Sequence, residues 1–566
     1  MKKWKLIIMF LVLIFAVSCN PGKKRSEMPG AKLNLSLFPE KTSNNEPAVQ
    51  GGTLQVAIVK DDPLVGVFNE TFYSDGYDGD IISMFLSSGI FEVDENFEIT
   101  DKGPAILTVD AKNKKATIKI KDGIKWSDGQ PLTADDIIFP YEIVGHKDYT
   151  GVRYTEESQK IVGMKEYHDG KAPNISGIKK IDDKTVEISF LQLGQSIYTV
   201  ANGLVGNALP KHYLKGIPIK ELISSDKIRM KPVTLGPYNL TKVSRGESLE
   251  FTANPYYYKG KPKIEKAIVQ VVNSQSIVAA LKAGKYDFVM SMPDSLYNNY
   301  KDFKNIETLG QQDLYYSYLA FKLGHYDKAK GENVTDPNAK MSDLRLRQAL
   351  VHAINVEEIA QAFYFGLRQQ ATSSIPPVFK KYFPKDLQGY PYNPEKAKKI
   401  LADAGYNNGI NLTAEVRDTD EAIFNAIQGY LEEVGIHLEV KKVDNATWNS
   451  DRAAGNVQMT GMQWNALYPD ADFQMYNYFY SKNSNNRGVF YDNAEYDKLL
   501  DDARASTDEK QRAELYKQAD HILTFEDYAA IPLYYPQSQF IAKPFVKDFT
   551  VGNLIYHFWN VDVDMK

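Results

Sequence analysis

The chain is 566 residues long, with 43% hydrophobic and 25% charged residues, values near globular averages and outside those of disordered, collagen-like or multi-span membrane chains. At roughly 100–200 residues per domain, that length excludes a lone small module. Lys plus Arg number 67 against 72 Asp plus Glu, a net charge of −5 that becomes −8 if Lys2, Lys3 and Lys5 leave with a leader; a protein built to grip nucleic-acid phosphates should be basic.

The amino terminus has the order of an export signal: the basic Lys2, Lys3 and Lys5, an apolar run Leu6–Val17, then the small residues Ala16 and Ser18 before Cys19. That run is shorter than the about 20 residues a membrane-crossing helix needs. Cys19 is the single cysteine of the chain, so no intrachain disulfide and no cysteine-ligated zinc or iron–sulfur site can form. Ala16-Val17-Ser18-Cys19 resembles the bacterial lipobox, with Ala16 where leucine is usual. The resemblance implies removal of residues 1–18 and diacylation of Cys19, and two acyl chains hold a protein stably on a membrane. Residues 19–47 contain Pro21, Gly22, Pro29, Gly30, Pro39 and Pro47 and read as a flexible tether.

Strand and helix patterns then alternate. Leu54, Val56 and Ile58 recur with period two, as do Ile118 with Ile120, and Val186, Ile188 and Phe190. Between Ser342 and Gly366, Leu346, Ala349, Leu350, Ala353 and Ile354 form a helical stripe, and Asn355 with Glu358 is a capping pattern for a second helix closing at Gly366. Asn393, Pro394 and Gly405 mark the cap, first turn and end of another helix. The fold class is mixed α/β.

Signatures of catalysis are missing: no phosphate-binding loop, HExxH zinc helix or nucleophile elbow occurs. The eight histidines are spread singly, without the spacing of metal ligands. Asp61-Asp62, Asp135-Asp136 and Asp501-Asp502 lack the alternating spacing of a calcium loop and read as helix starts or solvated faces. No catalytic residue, metal or cofactor is expected.

The run Ile120-Lys121-Asp122-Gly123-Ile124-Lys125-Trp126-Ser127-Asp128-Gly129-Gln130-Pro131-Leu132-Thr133-Ala134-Asp135-Asp136 reads locally as a strand, a turn and a helix capped by Thr133 with Asp136. It also closely resembles the most characteristic segment of the extracytoplasmic solute-binding proteins of the oligopeptide/dipeptide/nickel class, which feed ABC importers. Pro140 stands where the family's helix continues, so a kink or early stop is expected. Further familial runs follow in order: Ile178–Phe190, Leu209–Leu214, Gly236-Pro237-Tyr238, Asn254–Pro262, Leu281–Val289, Arg345–Asn355, Gln463–Phe473 and Ile531–Tyr535. A departure is Thr234-Leu235 before Gly236, where Gly-Thr is usual.

The resemblance implies a two-lobed periplasmic-binding-protein clamshell with an extra small domain inserted in the first lobe. The first lobe would comprise 48–93, 204–313 and 531–566, the insertion 94–203 and the second lobe 314–530, with hinges near Leu314–Phe321 and Ile531–Tyr535. Trp464, Asn465, Ala466, Leu467, Tyr468 and Asp470 match the second-lobe ligand loop. Peptide-binding relatives place an aspartate, which pairs with the peptide's amino group, at the position of Leu467; Asp470 is a candidate substitute and otherwise part of a turn. Asp75, Gly76 and Tyr77, ahead of a helix expected at Ile81–Ile90, are candidates for contact with ligand backbone, or an ordinary Asp-Gly turn. Arg452 falls near a basic residue used toward the ligand carboxylate, with a solvated surface arginine as the alternative. Trp448 and Trp464 could face ligand, with packing as their default. The expected function is an extracytoplasmic, lipid-anchored, monomeric substrate-binding protein that captures oligopeptides and delivers them to ABC permease subunits. An oligosaccharide ligand is the alternative, and a surface hydrolase is the alternative from a different class.

Overall fold

A computed structural model of the chain describes residues 38–46, 50–200, 203–463, 470–483, 488–547 and 549–551, with the backbone of 562–563. The period-two run Thr53–Val59 forms a strand at the heart of a seven-stranded sheet, parallel on one side to Lys266–Val272 and on the other to Phe288–Met290. Leu54, Val56 and Ile58 pack with Phe85 and Phe251 on one face. Ala57 and Val59 pack with Ile277 and Tyr300 on the other, so the alternation marks only half of a strand covered on both faces. Gln537–Ala542 and Glu307–Gln312 extend the sheet on the Phe288 side, and Ser248–Ala253 and Tyr238–Ser244 on the Lys266 side.

A second sheet is ordered Gln369–Gln370, Ala530–Tyr535, Ser317–Phe321, Met459–Gln463, Ile410–Arg417, Ile436–Val443. The chain crosses between the sheets twice, through Asp313–Tyr316 and at Pro536. The second crossing thus falls just past Ile531–Tyr535, near which it was expected, and the boundary placed at 531 moves with it: that apolar segment is a fully buried strand of the second sheet. Likewise Ser317–Phe321, placed in the first hinge, is a strand of this sheet. Pro536 has no N–H to offer a ladder, and the break between the two strands falls there.

A four-stranded antiparallel sheet, Ala105–Asp110, Lys115–Ile120, Thr185–Ser189 and Ile178–Asp182, is inserted between parts of the first. The helix Ala134–Gly145 packs on it, with Thr133 and Asp136 forming the anticipated capping box. Trp126 is buried, and its Nε1 donates to Asp136 Oδ2 at 3.2 Å. Pro140 neither stops this helix nor leaves an orphan: the Asp136 carbonyl that residue 140 would normally bond accepts from the Leu209 N–H at 3.0 Å.

The other helix readings stand close to their expected bounds. Leu344–Ala353 and Val356–Tyr364 are separated by Ile354 and Asn355, and the Asn355 side chain accepts from the Glu358 N–H. Asn393 caps Pro394–Asp403, and Gly405 follows with a left-handed φ of +92°. The helix expected at Ile81–Ile90 instead begins at Gly76, runs to Ile81 and ends in a wider turn, Ile82–Leu86. Gly236 shows why its motif tolerates no side chain: a Cβ there would lie 2.6 Å from the Leu86 backbone carbon.

Candidate functional site

The parallel strands of the first sheet end together on one edge, and Glu307–Gln312 ends and Gln537–Ala542 begins on that same edge. Both crossings therefore leave from the carboxyl edge, where open α/β sheets bind ligands. The loop after Val59 lies there: the Lys60 N–H donates to Val272 O and Asp61 accepts from the Ser274 N–H. Asp75 caps the following helix, accepting from the N–H groups of Tyr77 and Asp78, with Lys60 Nζ 3.9 Å from its carboxylate. The same ammonium sits 4.6 Å from the Tyr77 ring centroid, and burial, with Asp80 and Asp75 nearby, raises the Tyr77 pKa. Asp75, Gly76 and Tyr77 thus form a helix start, with Gly76 its first residue.

Arg452 lies on the helix Asn445–Ala453 and is 4% exposed, which removes the solvated-surface alternative. Its guanidinium stacks 4.1 Å from the Trp448 ring, and Nη2 donates to Asn449 Oδ1 at 2.8 Å. Trp448 is buried beneath it, with Nε1 donating to Thr460 Oγ1 at 2.8 Å, so packing is its observed role.

Trp464, Asn465, Ala466, Leu467 and Tyr468 lie outside the described residues, as does Cys19. The roots of the loop are described. On one side Gln463 accepts from Ser317 Oγ at 3.4 Å. On the other, Asp470 is fully buried and receives two bonds from Arg512, at 2.8 and 3.0 Å, and one from Thr199 at 3.2 Å. That geometry gives Asp470 a structural cation already. Asp472 accepts from Tyr516 and pairs with Arg504; burial works to raise its pKa, but Arg504, Lys160 and Arg512 hold it below the usual carboxylate range.

Two clusters have no local signal in the sequence. Arg504 contacts Glu157, which lies 347 positions away on the inserted domain, and covers the Tyr476 ring at 3.5 Å. At the crossings, Asp313 accepts from Ser538 Oγ at 2.6 Å, while Arg368 pairs with Asp294 at 2.8 Å and stacks on Tyr364 at 3.9 Å. Burial pushes the Asp313 pKa up to about 6, against the lowering effect of Ser538 and Arg368. Among the described residues no three His, Cys, Asp or Glu side chains gather as metal ligands.

The family model for bacterial extracellular solute-binding proteins, family 5 Middle, matches residues 102–486. The oligopeptide-binding protein OppA of Lactococcus lactis subsp. cremoris is 36% identical over 337 residues, 59% of this chain and 56% of the relative, so the match spans little more than half of that relative's length. The oligopeptide-binding protein AppA of Bacillus subtilis is 27% identical over 565 residues, covering 94% of this chain and 93% of the relative. A solved structure of lactococcal OppA, complexed with an endogenous peptide in the closed conformation, superposes with a TM-score of 0.78 at 28% identity, covering 91% of this chain and all of that one.

Proposed function

The chain belongs to the bacterial extracellular solute-binding proteins of family 5, and from that premise we propose that it captures oligopeptides outside the cytoplasmic membrane for an ABC permease. Members of the family bind solute without chemical turnover, and the surface-hydrolase alternative is set aside. The observation that carries the peptide reading is the likeness, across 91% of the chain, to lactococcal OppA solved in complex with an endogenous peptide in the closed conformation. The two crossings on the carboxyl edge of the first sheet support closure of the lobes as a hinge motion. In this reading the protein is a monomer, tethered through a diacylated Cys19 and a segment shorter than the expected 19–47, because Thr42 is buried with its N–H donating to Phe549 O at 2.9 Å and Ser43 bonds Glu307. The loop 464–469 with Asp75–Tyr77 and Arg452 borders the ligand.

Leu467 gives the reading its specific form. Burying a peptide ammonium against an apolar side chain is costly unless another acceptor is present, and the nearby Asp470 is held by Arg512. The protein therefore binds peptides with little regard for a free amino terminus. Calorimetry with a nonapeptide, its N-acetylated form and an oligosaccharide tests this: the two peptides should bind within about tenfold of each other. Binding of the oligosaccharide alone would overturn the peptide reading. A preference of about a hundredfold or more for the free amine would overturn the role given to Leu467.

A further inference from the structure

The short hairpin made by Glu92–Val93 and Ile99–Thr100 stands between the first lobe and the inserted sheet. Its base is tied to the first lobe, where Glu92 accepts from the Tyr258 hydroxyl and pairs with Lys259. Its tip is tightly built: Asp94 Oδ1 accepts from the N–H groups of Asn96 and Glu98, and the Phe97 N–H donates to Asp94 O at 3.0 Å. This turn holds Phe97 at a φ of +64°, a left-handed conformation that a bulky L residue adopts only where its surroundings compensate.

Those surroundings belong to the other lobe. Phe97 is 5% exposed and packs in the hydrophobic cluster of the second lobe, with its ring 6.1 Å from that of Phe379; it is not part of the inserted domain's own core. Ion pairs flank it on both sides, Glu95 with Lys380 at 2.8 Å and Glu98 with Lys381. Lys381 also pairs with Glu509 of its own lobe. An aromatic knob flanked by charges and seated in the opposite lobe would lie in water if the lobes separated.

We propose that the Glu92–Thr100 hairpin is a latch between the lobes, Phe97 being the residue that seats in the second lobe on closure and prolongs the closed state. The proposal rests on the two-lobe closure described above, but its test does not need the ligand to be known. A carbodiimide, which joins a lysine amine directly to a carboxylate, is applied to the full chain, and mass spectrometry compares the Lys381–Glu98 link between lobes with the Lys381–Glu509 link within one lobe. The ratio of the first link to the second should fall by about fivefold or more in Phe97→Ala, and equally in Phe97→Gly, which relieves the left-handed backbone while removing the ring. A ratio within about twofold of the wild type in both variants would overturn the latch. So would an unchanged ratio in Phe97→Gly beside a fall in Phe97→Ala, since backbone strain would then account for the loss. Addition of the nonapeptide should raise the wild-type ratio; if it does not, the peptide reading fails while the two variants still decide the latch.

Discussion

The Asp470–Arg512 pair shows how far a residue's role depends on what folding brings beside it. Both side chains are almost wholly buried, at 0% and 2% exposure, so removing one charge strands the other in a medium that solvates it poorly. Asp470→Asn should cost about 3–5 kcal/mol in denaturant unfolding, and the double variant Asp470→Leu with Arg512→Met should cost less than the single change. A single variant within about 1 kcal/mol of wild type would mean that water reaches the guanidinium. Cys19 carries the residue-scale prediction that rests on sequence alone: Cys19→Ser should release the protein from the membrane fraction or leave the leader uncleaved, and an unmodified terminus elsewhere would end the lipid-anchor reading.

Some helix boundaries were legible in the sequence because a side chain closes its own helix. Asn355 is such a case, accepting from the Glu358 N–H at 3.1 Å while its amide reaches Glu358 Oε2. Asn355→Ala should destabilise by about 1 kcal/mol, read as faster hydrogen exchange confined to the amides of Val356–Tyr364. Pro140 shows the opposite: local rules place a break there, and a contact with Leu209, distant in sequence, removes the reason for it. The start at Gly76 was readable in principle from Asp75 as a cap, but the apolar run further on drew the expected helix toward Ile90.

Two sheets joined by two short crossings make relative motion of the lobes the whole-molecule question. Small-angle scattering should show a smaller radius of gyration with bound peptide than without; an unchanged radius at demonstrated saturation would defeat the hinge reading. Asp313 within the first crossing adds a pH dependence. Its folded pKa of about 6 lies above the usual aspartate value, so the native state holds more protons than the unfolded chain between those values. The stability it contributes is present at acid pH and is lost as pH rises through about 6. In Asp313→Asn the fall in melting temperature between about pH 4 and 6 should be shallower than in wild type; parallel profiles would show that Asp313 does not titrate there.

What the sequence by itself determined is what neighbours along the chain decide: the capping box at Thr133, the helix starts at Asn355 and Asn393, and the period-two strands. Its familial runs also identified the family and the two-lobed fold. Only the tertiary structure decided that Ala530–Tyr535 belongs to the second sheet, that Arg452 is buried on Trp448, that Arg512 occupies Asp470, and that Phe97 enters the opposite lobe. The reason is physical. Caps and periodicities arise from groups a few residues apart, whereas the entropy of closing a loop changes only slowly with its length, so a partner 347 positions away leaves no spacing in the sequence by which to find it.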